Sequence, residues 1–170
     1  NGFSGDDGRT TYFYYWGVPE HQKWINDGEF NGKKLSDNQI KLRKSYADIL
    51  NICTKNSAIH SDEFYALHFY NRSMEFTGYS NKIFAFLRYS EELHLLIVTN
   101  FDKTNQDCWI KIPEDALKLM NLSEVVTFQS DNSPKSKLTI PADLLIDRNI
   151  AEGLEIKVEH YGYLILKITS

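Results

Sequence analysis

From Lys82 to Phe101 the chain reads KIFAFLRYSEELHLLIVTNF, two apolar runs on either side of the polar turn Ser90-Glu91-Glu92. In the first run Ile83, Ala85 and Leu87 alternate with Phe84, Phe86 and Arg88; in the second, Leu95 to Val98 is unbroken. Period-two alternation marks a half-buried strand, and a short continuous β-rich run marks a strand covered on both faces. The stretch therefore predicts a hairpin with apolar side chains on both faces, at the centre of a β-sandwich core.

The pattern before this hairpin is helical. Val18 to Asn26 predicts a short helix, with Pro19 at a first helical position and Gly28 ending it. Leu35 to Cys53 predicts the longest helix. Ser36 and Gln39 form a capping box, Leu35 and Ile40 a hydrophobic staple, and Leu42, Tyr46, Ile49, Leu50 and Cys53 recur on one face that should be buried. From Glu63 the period changes to two, and Glu63 to Tyr70 reads as a strand. After the hairpin, Asp107 to Ile112 reads as a strand and Pro113 opens a short helix through Met120. Glu124 to Gln129 reads as a strand, Ser130 to Ser136 as a polar turn, and Lys137 to Ile140 as a short strand ending at Pro141. Asp143 to Ile150 is either one helical turn or irregular. Leu154 to Glu159 and Tyr163 to Thr169 read as a closing hairpin around Tyr161-Gly162. About eight short strands at regular spacing predict a mainly β fold with N-terminal helices, an antiparallel sandwich with Greek-key connections. The boundary between helical and β parts falls near Asn56 to Asp62.

Length and charge narrow the classes. The chain has 170 residues, a net charge of −4, 42% hydrophobic and 25% charged residues, ordinary values for a globular protein. That charge weighs against a nucleic-acid or anionic-membrane partner. No run approaches the roughly 18 apolar residues that a membrane-spanning helix needs. The chain starts at Asn1 rather than Met with no visible signal peptide, which predicts a processed chain, a domain or a fragment. Aromatic residues reach 14%. Such a content suits either cross-strand ring pairs in a β core or flat platforms for sugars. Cys53 and Cys108 fit no metal pattern and predict free buried thiols.

Candidate chemistry is sparse. Among 23 acidic residues no pair stands out: Glu91-Glu92 is a hairpin turn, Glu114-Asp115 starts a short helix and Glu152 precedes a glycine. Hydrolysis of a glycosidic bond needs two carboxyl groups held across that bond. There is no phosphate loop, nucleophile elbow or metal spacing. His21, His60, His68, His94 and His160 are scattered, with His68 and His94 the one pair that could meet across strands. Asp6-Asp7-Gly8 is a turn signal, since two carboxylates without the full loop pattern do not make a calcium loop. Asn71-Arg72-Ser73 and Asn121-Leu122-Ser123 match the glycosylation sequon.

Four blocks, in order, resemble the C-terminal part of α-amylase-family glycoside hydrolases. FSGDDGRTTYFYYW resembles the segment after the last barrel strand. LRKSYADILNICTKNSAI is similar to the last barrel helix. IFAFLRYSEELHLLIVTNFD resembles the hairpin of the C-domain, with its Val-x-Asn-Phe strand end. GYLILKIT is similar to the final strand. The resemblance implies that residues 1–58 are the helical tail of a (β/α)₈ barrel, a loop plus two helices, and that 59–170 are the sandwich that follows it. A whole barrel takes about 250 residues. Its remainder would be this chain's partner, with an α-glucan as ligand and neither nucleic acid nor membrane. No position matches the family's catalytic carboxylates, so no catalytic residue and no metal ligand is carried over. No cofactor is expected, a calcium ion belonging only to the intact enzyme. The implied setting is extracellular or periplasmic.

Tyr12, Tyr14, Tyr15 and Trp16 would lie along the barrel and are the candidate carbohydrate contacts, with packing against barrel strands as the other reading. The chain alone is then expected to be inactive, its sandwich stabilising the barrel. Two alternatives stay open: a starch-binding module using exposed rings such as Tyr65, Tyr70, Tyr79 or Trp109, and a structural interaction domain. A binding module needs two or three rings exposed and coplanar on one surface. A structural domain buries its rings or exposes them where a partner sits.

Overall fold

The structure is a computed structural model that describes residues 18–74, 77–130 and 133–170, with backbone alone for 133–136. Tyr12, Tyr14, Tyr15, Trp16 and Asp6-Asp7-Gly8 lie outside the described residues. The chain divides into two compact units, with the division between Ile52 and Cys53.

In the first unit, α1 (Pro19–Ile25) begins at a proline and ends on Asn26, whose left-handed backbone (φ 47°) stops it. Trp24 packs edge-on to Phe30, and the Arg43 guanidinium lies 5.4 Å from its ring centre. α2 (Asp37–Lys55) is capped reciprocally, as its sequence requires. The Ser36 N–H donates to Gln39 Oε1 at 2.9 Å and the Gln39 N–H to Ser36 Oγ at 3.4 Å. Its apolar face is another matter. No residue of α2 is buried, and Leu42, Tyr46 and Leu50 are each about 60% exposed. Helical periodicity specifies a face, while burial of that face depends on what covers it.

The second unit is mainly β. Its strands are β1 (Phe64–Ala66), β2 (Ile83–Tyr89), β3 (His94–Asn100), β4 (Gln106–Ile110), β5 (Val125–Ser130), β6 (Ser133–Pro141), β7 (Leu154–Val158) and β8 (Tyr163–Thr169). Short helices lie between them: α3 (Ser57–His60), α4 (His68–Asn71), α5 (Glu114–Leu119) and α6 (Ala142–Ile146). Six strands form an antiparallel sheet in the order β1-β2-β3-β8-β5-β6, and β4 pairs with β7 in a second sheet. The two sheets share one core. Ala85, Leu87, Leu96, Val98 and Phe128 from the large sheet meet Cys108, Ile110, Leu154 and Ile156 from the small one. This arrangement is consistent with a β-sandwich.

The central hairpin forms as expected, with Phe86 opposite Ile97 and Tyr89 opposite His94. Three other expectations are corrected. The stretch Glu63 to Tyr70 is a strand only to Ala66 and then turns into α4. The Asn71 amide helps hold this turn: buried, it donates to Leu67 O and Lys111 O and accepts from the Lys111 N–H at 2.7 Å. β6 starts at Ser133, earlier than its apolar residues indicate, because ladder pairing with β5 extends into the polar stretch. β7 and β8 are not a hairpin, since β7 pairs with β4 while β8 lies between β3 and β5. The chain crosses sheets at Tyr161-Gly162, where the buried Asn100 amide donates to Glu159 O and the Asn100 N–H to Gly162 O.

Candidate functional site

Alternation sorts β2 into two faces. Ile83, Ala85, Leu87 and Tyr89 point into the core, and Phe84, Phe86 and Arg88 point out of it. On the outer side, register places Phe64 of β1 beside Arg88, Ile97 of β3 beside Phe86, and Ile165 of β8 beside Ile97. The rings of Phe64, Phe86 and Phe84 follow one another at 5.5 and 5.6 Å. His68 of α4 continues the row, 5.4 Å from Phe84, and its Nδ1 lies 3.0 Å from Ile83 O. Phe84, Phe86, Ile97 and Ile165 are half-buried, and Phe64 is 48% exposed. Adjacent rings are tilted by 36° and 45°, so they make a corrugated apolar patch rather than a flat shelf. α3 closes one end of this face. The Arg88 guanidinium donates to Ala58 O, Ile59 O and Ser61 O at the helix's C-terminal end, where a cation suits the exposed carbonyls.

Of the rings named from the sequence, Tyr65 and Tyr70 both lie near Asp115, and each hydroxyl is engaged by the protein. Tyr65 donates its hydroxyl to Asp115 Oδ2 at 2.7 Å, and burial together with that bond pushes its pKa up to about 12. Tyr70 donates to Ile146 O beneath the Arg148 guanidinium. Tyr79 is buried, and its hydroxyl accepts from the Ala85 N–H. Trp109 alone faces a groove. It follows buried Cys108 and precedes buried Ile110 on β4, so its indole stands outside the core. It lines a concavity of about 350 Å³ with Pro141, Leu144, Thr139, Glu152 and Glu155. Gly153 makes this wall close-fitting. At φ +136° it lies where a Cβ would come within 3.2 Å of Ile110 O and 3.4 Å of Leu144 O.

A larger concavity, about 600 Å³, lies at the end of β2 and β3 and is lined by Glu63, Tyr89, Glu91, Glu92, His94 and Lys167, among others. Burial raises the pKa of Tyr89, with help from a hydrogen bond to Glu63, and lowers that of His94 against a bond to the Ser90 backbone. His68 and His94 do not meet, since His68 sits on α4. Glu114 pairs with Lys118. Among the described residues no group of three or more His, Cys, Asp or Glu is placed to hold a metal, and no helix is long and apolar enough to cross a membrane. Both cysteines are free, and burial pushes the Cys108 thiol up to about 12. The sequon at Asn71 is closed, because the amide is wholly buried and bonded.

No family model matches the chain, and no curated protein matches it. Solved structures do. AmyP, solved in complex with maltose, superposes with a TM-score of 0.53 at 8% identity, over 82% of this chain and 22% of that one. Isomaltulose synthase from Erwinia rhapontici gives 0.47 at 16% identity, over 85% and 21%. The α-amylase of Geobacillus thermoleovorans gives 0.42 at 9%, over 68% and 20%. At 8% identity the likeness to AmyP is one of fold. The chain spans about a fifth of the length of each.

Proposed function

We propose that this chain is the non-catalytic C-terminal part of an α-amylase-like glycoside hydrolase that acts on α-glucans. In this reading residues 1–58 are the tail of a (β/α)₈ barrel and 59–170 a Greek-key sandwich that covers and stabilises it. One observation carries the reading: the outer face of the six-stranded sheet is a tilted row of phenylalanines continued by Ile97 and Ile165 and left half-open. Tilted phenylalanine rings lack hydroxyls and a common plane, so they suit protein packing better than sugar stacking. A contiguous apolar face of this kind is where a partner surface is expected. The fold likeness to AmyP, covering most of this chain and about a fifth of that one, supports a barrel as that partner. The test is to translate the reading frame upstream of Asn1. A (β/α)₈ pattern carrying the family's carboxylates is the expected outcome. A frame that opens directly on Asn1's segment, or encodes another fold, overturns the reading.

A further inference from the structure

We propose that Asn121 is an acceptor site for an N-linked glycan. The chain carries two Asn-x-Ser sequons, Asn71-Arg72-Ser73 and Asn121-Leu122-Ser123, and the fold treats them oppositely. Asn71 is wholly buried, and its amide nitrogen is committed to Leu67 O and Lys111 O. Asn121 and Ser123 are both exposed, and neither side chain makes a hydrogen bond among the described residues. Leu122 between them is 6% exposed, so the tripeptide is anchored at its middle and keeps both recognition groups in water. The backbone forms the turn that ends α5. Asn121 is left-handed (φ 53°), its N–H donates to Lys118 O at 3.0 Å, and the Leu122 N–H donates to Leu117 O at 2.9 Å. Such a turn accounts for an asparagine at 121, since asparagine tolerates that conformation. It asks nothing of residue 123, where the hydroxyl is left free. In the transfer, Asn121 Nδ2 bonds to the anomeric carbon of a lipid-pyrophosphate-linked oligosaccharide. That carbon's bond to the phosphate oxygen breaks, the lipid pyrophosphate leaves, and the amide gives up one proton. The Ser123 hydroxyl is the group by which a transferase recognises the acceptor. Asn121 stands at the rim of the 600 Å³ concavity with Leu119, which is 55% exposed, so the glycan would cover apolar surface with hydrated sugar.

The experiment is secretion of the whole chain from yeast behind a cleavable signal. Intact mass is measured before and after an amidase removes N-glycans, and peptide mapping locates the asparagine that the amidase converts to aspartate. The secreted chain should carry one glycan, at residue 121. Asn121→Gln and Ser123→Ala should each abolish it. Ser73→Ala removes the other sequon while leaving the Asn71 bonds in place, and should leave the glycan unchanged. A secreted chain without glycan overturns the site, as does a glycan that survives Asn121→Gln or one mapped to residue 71. Folded chain from a bacterial host supplies a second measurement that does not depend on secretion. A soluble N-glycosyltransferase with UDP-glucose should add one glucose, at Asn121, and Ser123→Ala should lose it. No incorporation, or incorporation at Asn71 of the folded chain, overturns the acceptor.

Discussion

β2 carries two apolar faces that end in different places. Ile83, Ala85, Leu87 and Tyr89 lie on the inner face and are all buried; Phe84 and Phe86, larger and no less hydrophobic, lie on the outer face and remain half-open. The hydrophobic effect is proportional to area removed from water and cannot tell these residues apart. What separates them is cover. The inner face meets β4 and β7, packed to zero exposure at Leu87, Val98 and Ile110, whereas on the outer face, where α3 and α4 reach β2, the rings of Phe84 and Phe86 keep part of their surface in water. A strand apolar on both sides therefore states a requirement for two partners, and one of them is supplied within the described residues.

The difference is measurable. Leu87→Ala should cost about 3 kcal/mol in urea unfolding, because it removes fully buried methyl groups and leaves a cavity. Phe86→Ala should cost less, about 2 kcal/mol, since part of the ring is already hydrated. Equal costs would break the contrast and show the outer face to be as well packed as the inner. Asn71→Ala comes next, at about 2 kcal/mol, because it strands the Lys111 N–H and carbonyl in the interior. A loss near zero would mean that these backbone groups find other partners. The smallest effect belongs to His94, opposite Tyr89 at the end of the inner face. Burial holds its folded pKa below the ordinary value, so the unfolded chain binds more protons in the window between the two. Stability should thus be full above about pH 6.5 and fall as pH drops toward the folded pKa. His94→Gln should flatten that slope; a slope unchanged in the variant assigns the acid sensitivity elsewhere.

Elements specified by neighbours in sequence were legible. The Ser36/Gln39 capping box, the Pro19 and Pro113 helix starts, and the 82–101 hairpin depend on contacts a few residues apart. Elements specified by distant partners were not. Nothing near Asn71 announces that its amide will bond residue 111 and help hold the turn into α4. The sequence pattern also made Leu154 to Thr169 a hairpin, because a short turn between two apolar runs usually joins neighbours. Here Asn100, some 60 residues earlier, takes the turn's carbonyls and directs the two strands into separate sheets. The Trp109 groove was legible only as a residue name, since its other walls come from β6, α6 and the approach to β7.

By itself, then, the sequence determined periods, caps and breaks: which stretches are strands or helices, and which side chains share a face. Those properties follow from backbone geometry and side-chain spacing, which act over one or two turns. Only the tertiary structure decided which face is covered, which strand pairs with which, and which half-exposed rings lie together. Those outcomes depend on contacts between residues far apart in the chain, where the same apolar pattern is satisfied equally well by several partners until packing selects one.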